Sequence, residues 1–164
     1  MSTPPLNPNP DMAPTSIQTI LVVDDEVLIR LVIAEYLRDC GYRVHEAANA
    51  DEAVTVLNTP EVAIDLVLSD VVMPGGSMDG FALARRIRSD HPGVKVMLTS
   101  GFARSAQLAA DLCESGPLMR KPYEPQHVVD RIKQLLAAAE RDDVTASKSQ
   151  IGLPLKMGND RRSA

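Results

Sequence analysis

The chain has little of several residue types that would point to particular classes of protein. Its 164 residues contain no tryptophan, two cysteines and three histidines. Cys40 and Cys113 lack a CxxC spacing and a nearby histidine, so no zinc site is predicted; we expect reduced thiols, although a disulfide between them stays open. No apolar run reaches the length of a membrane span, and the N-terminus lacks the pattern of a secretory signal. These absences favour a cytoplasmic protein.

The charge balance also argues against some partners. The formal net charge is −5, whereas a large nucleic-acid interface needs a basic face. The stretch after Glu140 carries scattered basic residues but no apolar helical pattern that could form a helix-turn-helix module. We therefore expect neither DNA nor a membrane surface as a partner.

Composition divides the chain into three parts. Residues 1–16 contain five prolines and almost nothing that could be buried, so a disordered arm is predicted. Residues 141–164 have mixed charges and no period, which predicts a disordered tail. Residues 17–140 are strongly patterned and long enough to form one domain with a core of its own.

Within that domain, short apolar runs alternate with amphipathic ones. The apolar runs predict strands, and positions with helical spacing between them predict helices. On the first helix, Val27, Leu28, Leu31, Val32, Ala34, Tyr36 and Leu37 follow this spacing, with Gly41 as its C-cap. The predicted strands are residues 20–23, 43–47, 66–68, 94–98 and 118–119, and the later helices are residues 51–57, 81–88, 103–113 and 126–139.

Strict alternation of apolar strands and helices predicts an α/β fold with a parallel sheet. Right-handed crossovers place helices on both faces, which gives a doubly wound five-stranded sheet. Ligands of such folds bind beyond the carboxyl ends of the strands. The residues that follow each strand are therefore the candidates for function.

The predicted strand ends bring acidic, hydroxyl and basic side chains to one rim. Asp24, Asp25 and Glu26 follow the first strand, and Asp70 follows the third. Thr99 and Ser100 follow the fourth strand, and Arg120 and Lys121 follow the fifth. Any one of these residues is more often a cap, a turn residue or a solvated lysine. Their coincidence at one rim is what favours a functional site.

The chemistry of this rim points to metal-assisted phosphoryl transfer. Packed carboxylates repel one another unless a cation compensates, and Mg²⁺ prefers carboxylate oxygens and water. A carboxylate such as Asp70 beside Mg²⁺ can attack phosphorus to form an acyl phosphate. The Lys121 ammonium and the Thr99 hydroxyl can then stabilise the oxygens of the transferred group. A cis Lys121–Pro122 bond would aim the lysine across the rim, but the sequence does not decide the isomer.

Five motifs in order resemble the receiver domains of response regulators in bacterial two-component signalling. They are LVVDDE (residues 21–26), LSDVVMPG (68–75), MDGFALARRIR (78–88), VMLTSG (96–101) and RKPY (120–123). The resemblance implies a flavodoxin-like sheet of order 2-1-3-4-5. It also implies a stand-alone phosphorylation switch of the chemotaxis-regulator type, which is a signalling module and not an enzyme.

The resemblance also implies a role for each rim residue. Asp24, Asp25, Asp70 and the backbone carbonyl of Val72 would bind Mg²⁺. Asp70 would receive the phosphoryl group from a histidine kinase or a histidine phosphotransfer protein, Thr99 would move towards it and Lys121 would pair with it. The output partner is unknown, and homodimerisation is open.

Two departures from the family pattern bear on switching. The position three before Lys121 is commonly aromatic, and here it is Leu118. The loop MPGGSMDG is also about two residues longer than the commoner form. A degenerate receiver that acts as a phosphorylation-independent interaction module therefore stays the alternative. An aspartyl-phosphate hydrolase is disfavoured because Val72 stands where the second aspartate is needed, and a flavodoxin-like cofactor site is disfavoured because the acids after the first strand would repel phosphate.

Overall fold

The structure is a computed structural model that describes residues 16–100 and 119–149. The described elements are β1 (Thr19–Val23), α1 (Val27–Asp39), β2 (Arg43–Ala47), α2 (Ala50–Leu57), β3 (Leu66–Asp70), α3 (Gly80–Asp90), β4 (Lys95–Ser100), β5 (Met119–Arg120) and α4 (Pro125–Ser149). The helix predicted over residues 103–113, together with Cys113 and Leu118, lies outside the described residues.

The five strands form one parallel sheet in the order β2-β1-β3-β4-β5. This order confirms the predicted doubly wound, flavodoxin-like α/β fold. β1 and β3 are buried along their whole length, as is expected of central parallel strands covered on both faces. The order reverses direction between β1 and β3, and folds of this kind bind ligands at such a point.

The two faces of the sheet carry separate apolar clusters. One cluster joins alternate residues of β1 and β3 to α1 and α4, with Ile33, Leu37 and Ile132 among its members. The other joins the intervening strand residues to α2 and α3, with Leu57 and Leu83 among its members. The alternation of strand side chains between these clusters follows from the two-residue period of a strand.

The inner face of α1 differs from the one that its spacing predicts. Ile33, Ala34 and Leu37 are buried, and their spacing of about one helical turn gives a narrow inward stripe. The apolar residues Val27, Leu28, Leu31 and Val32 are exposed instead. The helix carries apolar side chains on two faces, and a periodicity argument cannot tell which of them meets the sheet. The C-cap of α1 is Cys40, one residue before the predicted Gly41, which follows it with a φ of 94°, a left-handed conformation that glycine favours after a helix.

The last helix extends ten residues beyond its predicted end at residue 139. It runs from Pro125 to Ser149, and Leu136 is the last buried residue among residues 125–142, the part of the helix whose burial is described. No proline or glycine interrupts the sequence between Pro125 and Gly152, and three consecutive alanines at 137–139 favour helix. The apolar period therefore ends before the helix does.

Candidate functional site

Three aspartates meet at the carboxyl ends of β1 and β3. Asp24 and Asp25 directly follow β1, and Asp70 is the last residue of β3. The pairing of Val23 with Ser69 brings these two strand ends side by side. One carboxylate oxygen from each aspartate lies within 4.8 Å of the others, so the predicted acidic cluster is present.

Lys121 connects two of these carboxylates. Its Nζ donates to Asp24 Oδ2 at 2.9 Å and to Asp70 Oδ2 at 3.0 Å, and Glu26 Oε1 lies 3.7 Å away. The Lys121–Pro122 peptide bond is cis. Burial alone would lower the pKa of Lys121, but the hydrogen bonds to Asp24 and Asp70 outweigh it and raise the pKa above its ordinary value. The lysine is therefore a fixed positive charge between two carboxylates.

The carboxylate of Asp70 lies in a less polar environment than a carboxylate on the protein surface. Its side chain is 8% exposed, and burial raises its pKa above the ordinary value, while the hydrogen bond from Lys121 opposes that rise. The backbone N–H of Val72 donates weakly to Asp70 Oδ1 at 3.4 Å. A buried carboxylate with few donors keeps an oxygen available for bond formation, which suits a nucleophile.

Thr99 lies beside Asp70 on the neighbouring strand. The two residues are partners in the β3–β4 register, and the backbone N–H of Val71 donates to Thr99 O at 2.9 Å. Thr99 is 1% exposed. The predicted hydroxyl residue is thus at the rim, beside Asp70.

Arg30 anchors the loop that carries the first two aspartates. Its Nη1 donates to the backbone carbonyl of Asp24 at 2.6 Å, and its Nε lies 3.5 Å from Glu46 on β2. The arginine therefore holds Asp24 through its backbone carbonyl. Sequence reasoning missed this residue because an arginine on an amphipathic helix is usually solvated, and no local signal distinguishes it.

Gly80 packs against the backbone of Asp70. The amide of Gly80 donates to Val71 O at 2.9 Å, and a Cβ at this position would stand only 2.1 Å from Asp70 O. Glycine is therefore the residue that allows α3 to begin this close to the end of β3. Asp79 caps the helix by accepting from the amide of Ala82 at 2.7 Å.

The long loop after β3 is tied to the start of α2. The hydroxyl and the amide of Ser77 both donate to the carboxylate of Asp51. Gly76 lies against the same helix start, where an added Cβ would stand 3.2 Å from Asn49 Cβ. Gly76 and Ser77 of the loop therefore lie against the start of α2.

We expect a small, pH-dependent loss of stability in Ser77→Ala. The hydrogen bonds from Ser77 hold the pKa of Asp51 below its ordinary value. A depressed pKa in the folded state gives stability that is present above the unfolded pKa and is lost as the pH falls through the folded pKa. Urea unfolding should therefore separate wild type from Ser77→Ala at pH 7, with the gap closing in acid. Ser89→Ala, on the exposed part of α3, is the control; a gap that does not depend on pH would contradict this account.

The acidic cluster fits a hard divalent cation. All three side chains offer carboxylate oxygens, which are the ligands that Mg²⁺ prefers. The Lys121 ammonium offsets part of their charge in the absence of such an ion. The carbonyl of Val72 stays a predicted ligand.

The fold and the rim together define a class of protein. A doubly wound parallel sheet has a carboxylate cluster and a lysine at the point where its strand order reverses, which is where such folds bind ligands. The response regulator receiver domain profile matches residues 20–133 of the chain. The chain therefore belongs to the response regulator receiver domain family, whose members are signalling modules that bind Mg²⁺ in an acidic pocket and interact with histidine kinases or phosphotransfer proteins.

Individual relatives agree with this assignment. The chain is 37% identical to the sensor kinase CckA of Brucella abortus over 121 residues, which is 72% of this chain and 12% of that protein. It is 34% identical to the phosphate regulon transcriptional regulatory protein PhoB of Pseudomonas aeruginosa over 141 residues, which is 84% of this chain and 60% of that protein. The chain thus spans only part of the curated relatives it matches.

Solved structures give the same result. A CheY-like receiver domain protein from Methanospirillum hungatei superposes with a TM-score of 0.69 at 26% identity, covering 77% of this chain and 99% of that one. The response regulator TrrA of Thermotoga maritima, solved in complex with Mg²⁺ and BeF, superposes with a TM-score of 0.64 at 28% identity, covering 73% and 99%. Among the residues that the structure describes here, no helix is long and apolar enough to cross a membrane.

Proposed function

We propose that this chain is a phosphorylation switch in which Asp70 accepts a phosphoryl group in a Mg²⁺-dependent reaction. The observation that carries the proposal is the position of Lys121 Nζ, which contacts Asp70 and Asp24 at the same time. This arrangement places a fixed cation beside the proposed nucleophile and within the proposed ligand set. Asp24, Asp25 and the Val72 carbonyl would complete the protein ligands of the metal.

In the proposed reaction an oxygen of Asp70 forms a bond to phosphorus while the bond from phosphorus to the donor's imidazole nitrogen breaks. The electron pair of that bond leaves with the imidazole. When bound, Mg²⁺ would offset the negative charge that gathers on the phosphoryl oxygens. The Lys121 ammonium would pair with one of these oxygens, and the Thr99 hydroxyl would turn to donate to another.

The proposed phosphodonor is a histidine kinase or a histidine phosphotransfer protein, and α1 offers a surface for it. Val27, Leu28, Leu31 and Val32 expose about half or more of their area. Beside them runs a groove of about 570 Å³, lined by apolar residues of α1 and by Pro122, Tyr123 and Pro125. Exposed apolar patches of this kind mark interaction sites, and an amphipathic helix is a partner that fits such a groove.

The groove opens onto the proposed phosphoryl site. Lys121 and Glu26 line it together with the apolar residues, and Lys121 also contacts Asp70. A donor helix in this groove would therefore present a phosphohistidine to the acidic cluster. We propose that output follows from a change in protein contacts at the surface of this domain.

The first test is the intact mass of the purified protein after incubation with Mg²⁺ and acetyl phosphate. Wild type should gain the mass of one phosphoryl group, and EDTA should prevent the gain. Asp70→Asn should show no gain at all because its amide is not a nucleophile, whereas Asp39→Asn at the exposed end of α1 should behave as wild type. Unchanged mass in wild type would favour the alternative, a degenerate receiver that binds its partner independently of phosphate.

A further inference from the structure

Arg30 contacts the peptide group that joins the two aspartates after β1. Its Nη1 donates to Asp24 O at 2.6 Å, and this carbonyl belongs to the peptide bond between Asp24 and Asp25. A peptide group is planar, so the position of its oxygen constrains both of the Cα atoms that flank it. One hydrogen bond from Arg30 therefore orients the backbone from which two of the proposed metal ligands branch.

The guanidinium of Arg30 is itself held from a second direction. Its Nε lies 3.5 Å from Glu46 Oε2, and the side chains of Arg30 and Glu46 are 15% and 28% exposed. Glu46 lies on β2, where it pairs with Val22 of β1 in the parallel register. Because a guanidinium is planar and rigid, contacts at Nε and at Nη1 together set its orientation. The sheet thus fixes the arginine that orients the two aspartates.

Backbone hydrogen bonds hold the two ends of the segment between β1 and α1. At one end the amide of Asp24 donates to Ala47 O at 3.2 Å. At the other end Glu26 O accepts from the amide of Arg30 at 3.0 Å, as the first turn of α1 begins. The side chain of Arg30 supplies a hydrogen bond between these two ends, at the peptide group that joins Asp24 to Asp25.

We propose that Arg30 is a positioning residue for the metal: by fixing the Asp24–Asp25 peptide, it holds the two carboxylates in the arrangement that binds Mg²⁺. This proposal rests on the proposed function, in which these carboxylates are metal ligands. Mg²⁺ demands near-ideal ligand geometry, and removal of a group that orients metal ligands lowers metal affinity by roughly 10–100-fold. Arg30 acts through Asp24 and Asp25, so its effect is on the affinity for the metal.

The charge of Arg30 gives the test a definite sign. A guanidinium near the acidic cluster repels a divalent cation, so loss of the positive charge alone would strengthen Mg²⁺ binding. Loss of the orienting contact would weaken it. A purely structural role would change the stability of the fold and leave the Mg²⁺ affinity of the folded protein unchanged. The direction of the change in affinity therefore separates these three roles.

Titration of the full chain with Mg²⁺, followed through the amide NMR signals of residues 24–26, measures the dissociation constant of the metal. Arg30→Gln should raise this constant about 10-fold or more. Arg38→Gln is the matched control, because Arg38 lies on the same helix and also pairs with Glu46, at 2.9 Å; it should bind Mg²⁺ as wild type does. Unchanged or tighter Mg²⁺ binding by Arg30→Gln would overturn the proposal.

Arg30→Lys keeps the positive charge but replaces the planar fork with a single ammonium. It should also bind Mg²⁺ more weakly than wild type, and if Arg30→Gln does not fold, wild-type affinity in Arg30→Lys would refute the positioning role. Acetyl phosphate should label both variants slowly at limiting Mg²⁺ and near the wild-type rate at saturating Mg²⁺. A wild type with neither an NMR response to Mg²⁺ nor a mass gain would instead overturn the proposed function, and the role of Arg30 with it.

Discussion

Replacement of Lys121 by methionine is expected to lower the free energy of unfolding by about 3 kcal/mol in metal-free buffer at pH 7, because removal of one partner leaves buried charge uncompensated. Asp24 and Asp70 expose only 5% and 8% of their side chains. Without the ammonium they would face each other as two carboxylates. Methionine keeps most of the apolar stem, so the loss measures charge more than packing.

The same variant should respond more strongly to Mg²⁺ than wild type does. In wild type, Mg²⁺ binds to carboxylates whose charge is already partly offset by Lys121. In Lys121→Met the same carboxylates lack this positive charge, so Mg²⁺ should stabilise the variant more. Urea unfolding with and without Mg²⁺ measures the difference, and Lys133→Met on the exposed face of α4 is the control.

Phosphorylation of Lys121→Met by acetyl phosphate should fall about 100-fold or more, the usual effect of removing one group that stabilises transition-state charge. A Lys121→Met protein as stable as Lys133→Met without metal would contradict this account of the site.

Gly80→Ala should destabilise the protein by roughly 2–4 kcal/mol, although alanine favours helix by about 1 kcal/mol over glycine. The reason is contact: the new methyl group would stand 2.1 Å from Asp70 O and 2.8 Å from Val71 Cα. Both of these atoms belong to the backbone, so no flexible side chain can move aside. The end of β3 must shift, and the carboxylate of Asp70 shifts with it.

Gly75→Ala is the matched control for this substitution. Gly75 lies in the same connection between β3 and α3, and an added Cβ there meets nothing within 4 Å. We expect a change within about 0.5 kcal/mol for Gly75→Ala, as for most exposed positions. Urea unfolding gives both values, and acetyl phosphate labelling shows whether Gly80→Ala also slows the reaction at Asp70. Similar stabilities for the two variants would mean that the backbone contact at Gly80 is unimportant.

Most of the fold could be predicted because its signals are local. Buried parallel strands appear as short apolar runs, and β2 was predicted to the residue. The carboxyl ends of β3 and β4 were predicted two residues too early. Polar side chains end the apolar run, but the strands continue through Asp70 in β3 and through Thr99 and Ser100 in β4. The backbone continues as strand there because hydrogen bonding to a neighbouring strand does not depend on side-chain polarity.

The sequence predicted which residues lie at the rim, but it did not predict the residues that hold them in place. The rule that ligands bind at the carboxyl ends of strands brought Asp24, Asp25, Asp70, Thr99 and Lys121 together before any distance was known. The contacts of Arg30 with Asp24 and of Gly80 with the backbone of Asp70 join residues on different elements. Such contacts depend on how the elements pack, and no periodicity or motif in one segment encodes them.

The length of α4 has a mechanical consequence. From Leu136 to Ser149 the helix continues for about 20 Å at 1.5 Å per residue. If this segment moves as a rigid body, it rotates about the place where α4 packs on the sheet. A tilt of roughly 10° where the helix packs against β4 would carry its far end through about 3–4 Å. A small tilt of α4 near the rim would therefore move the C-terminal end of the helix by about the length of a side chain.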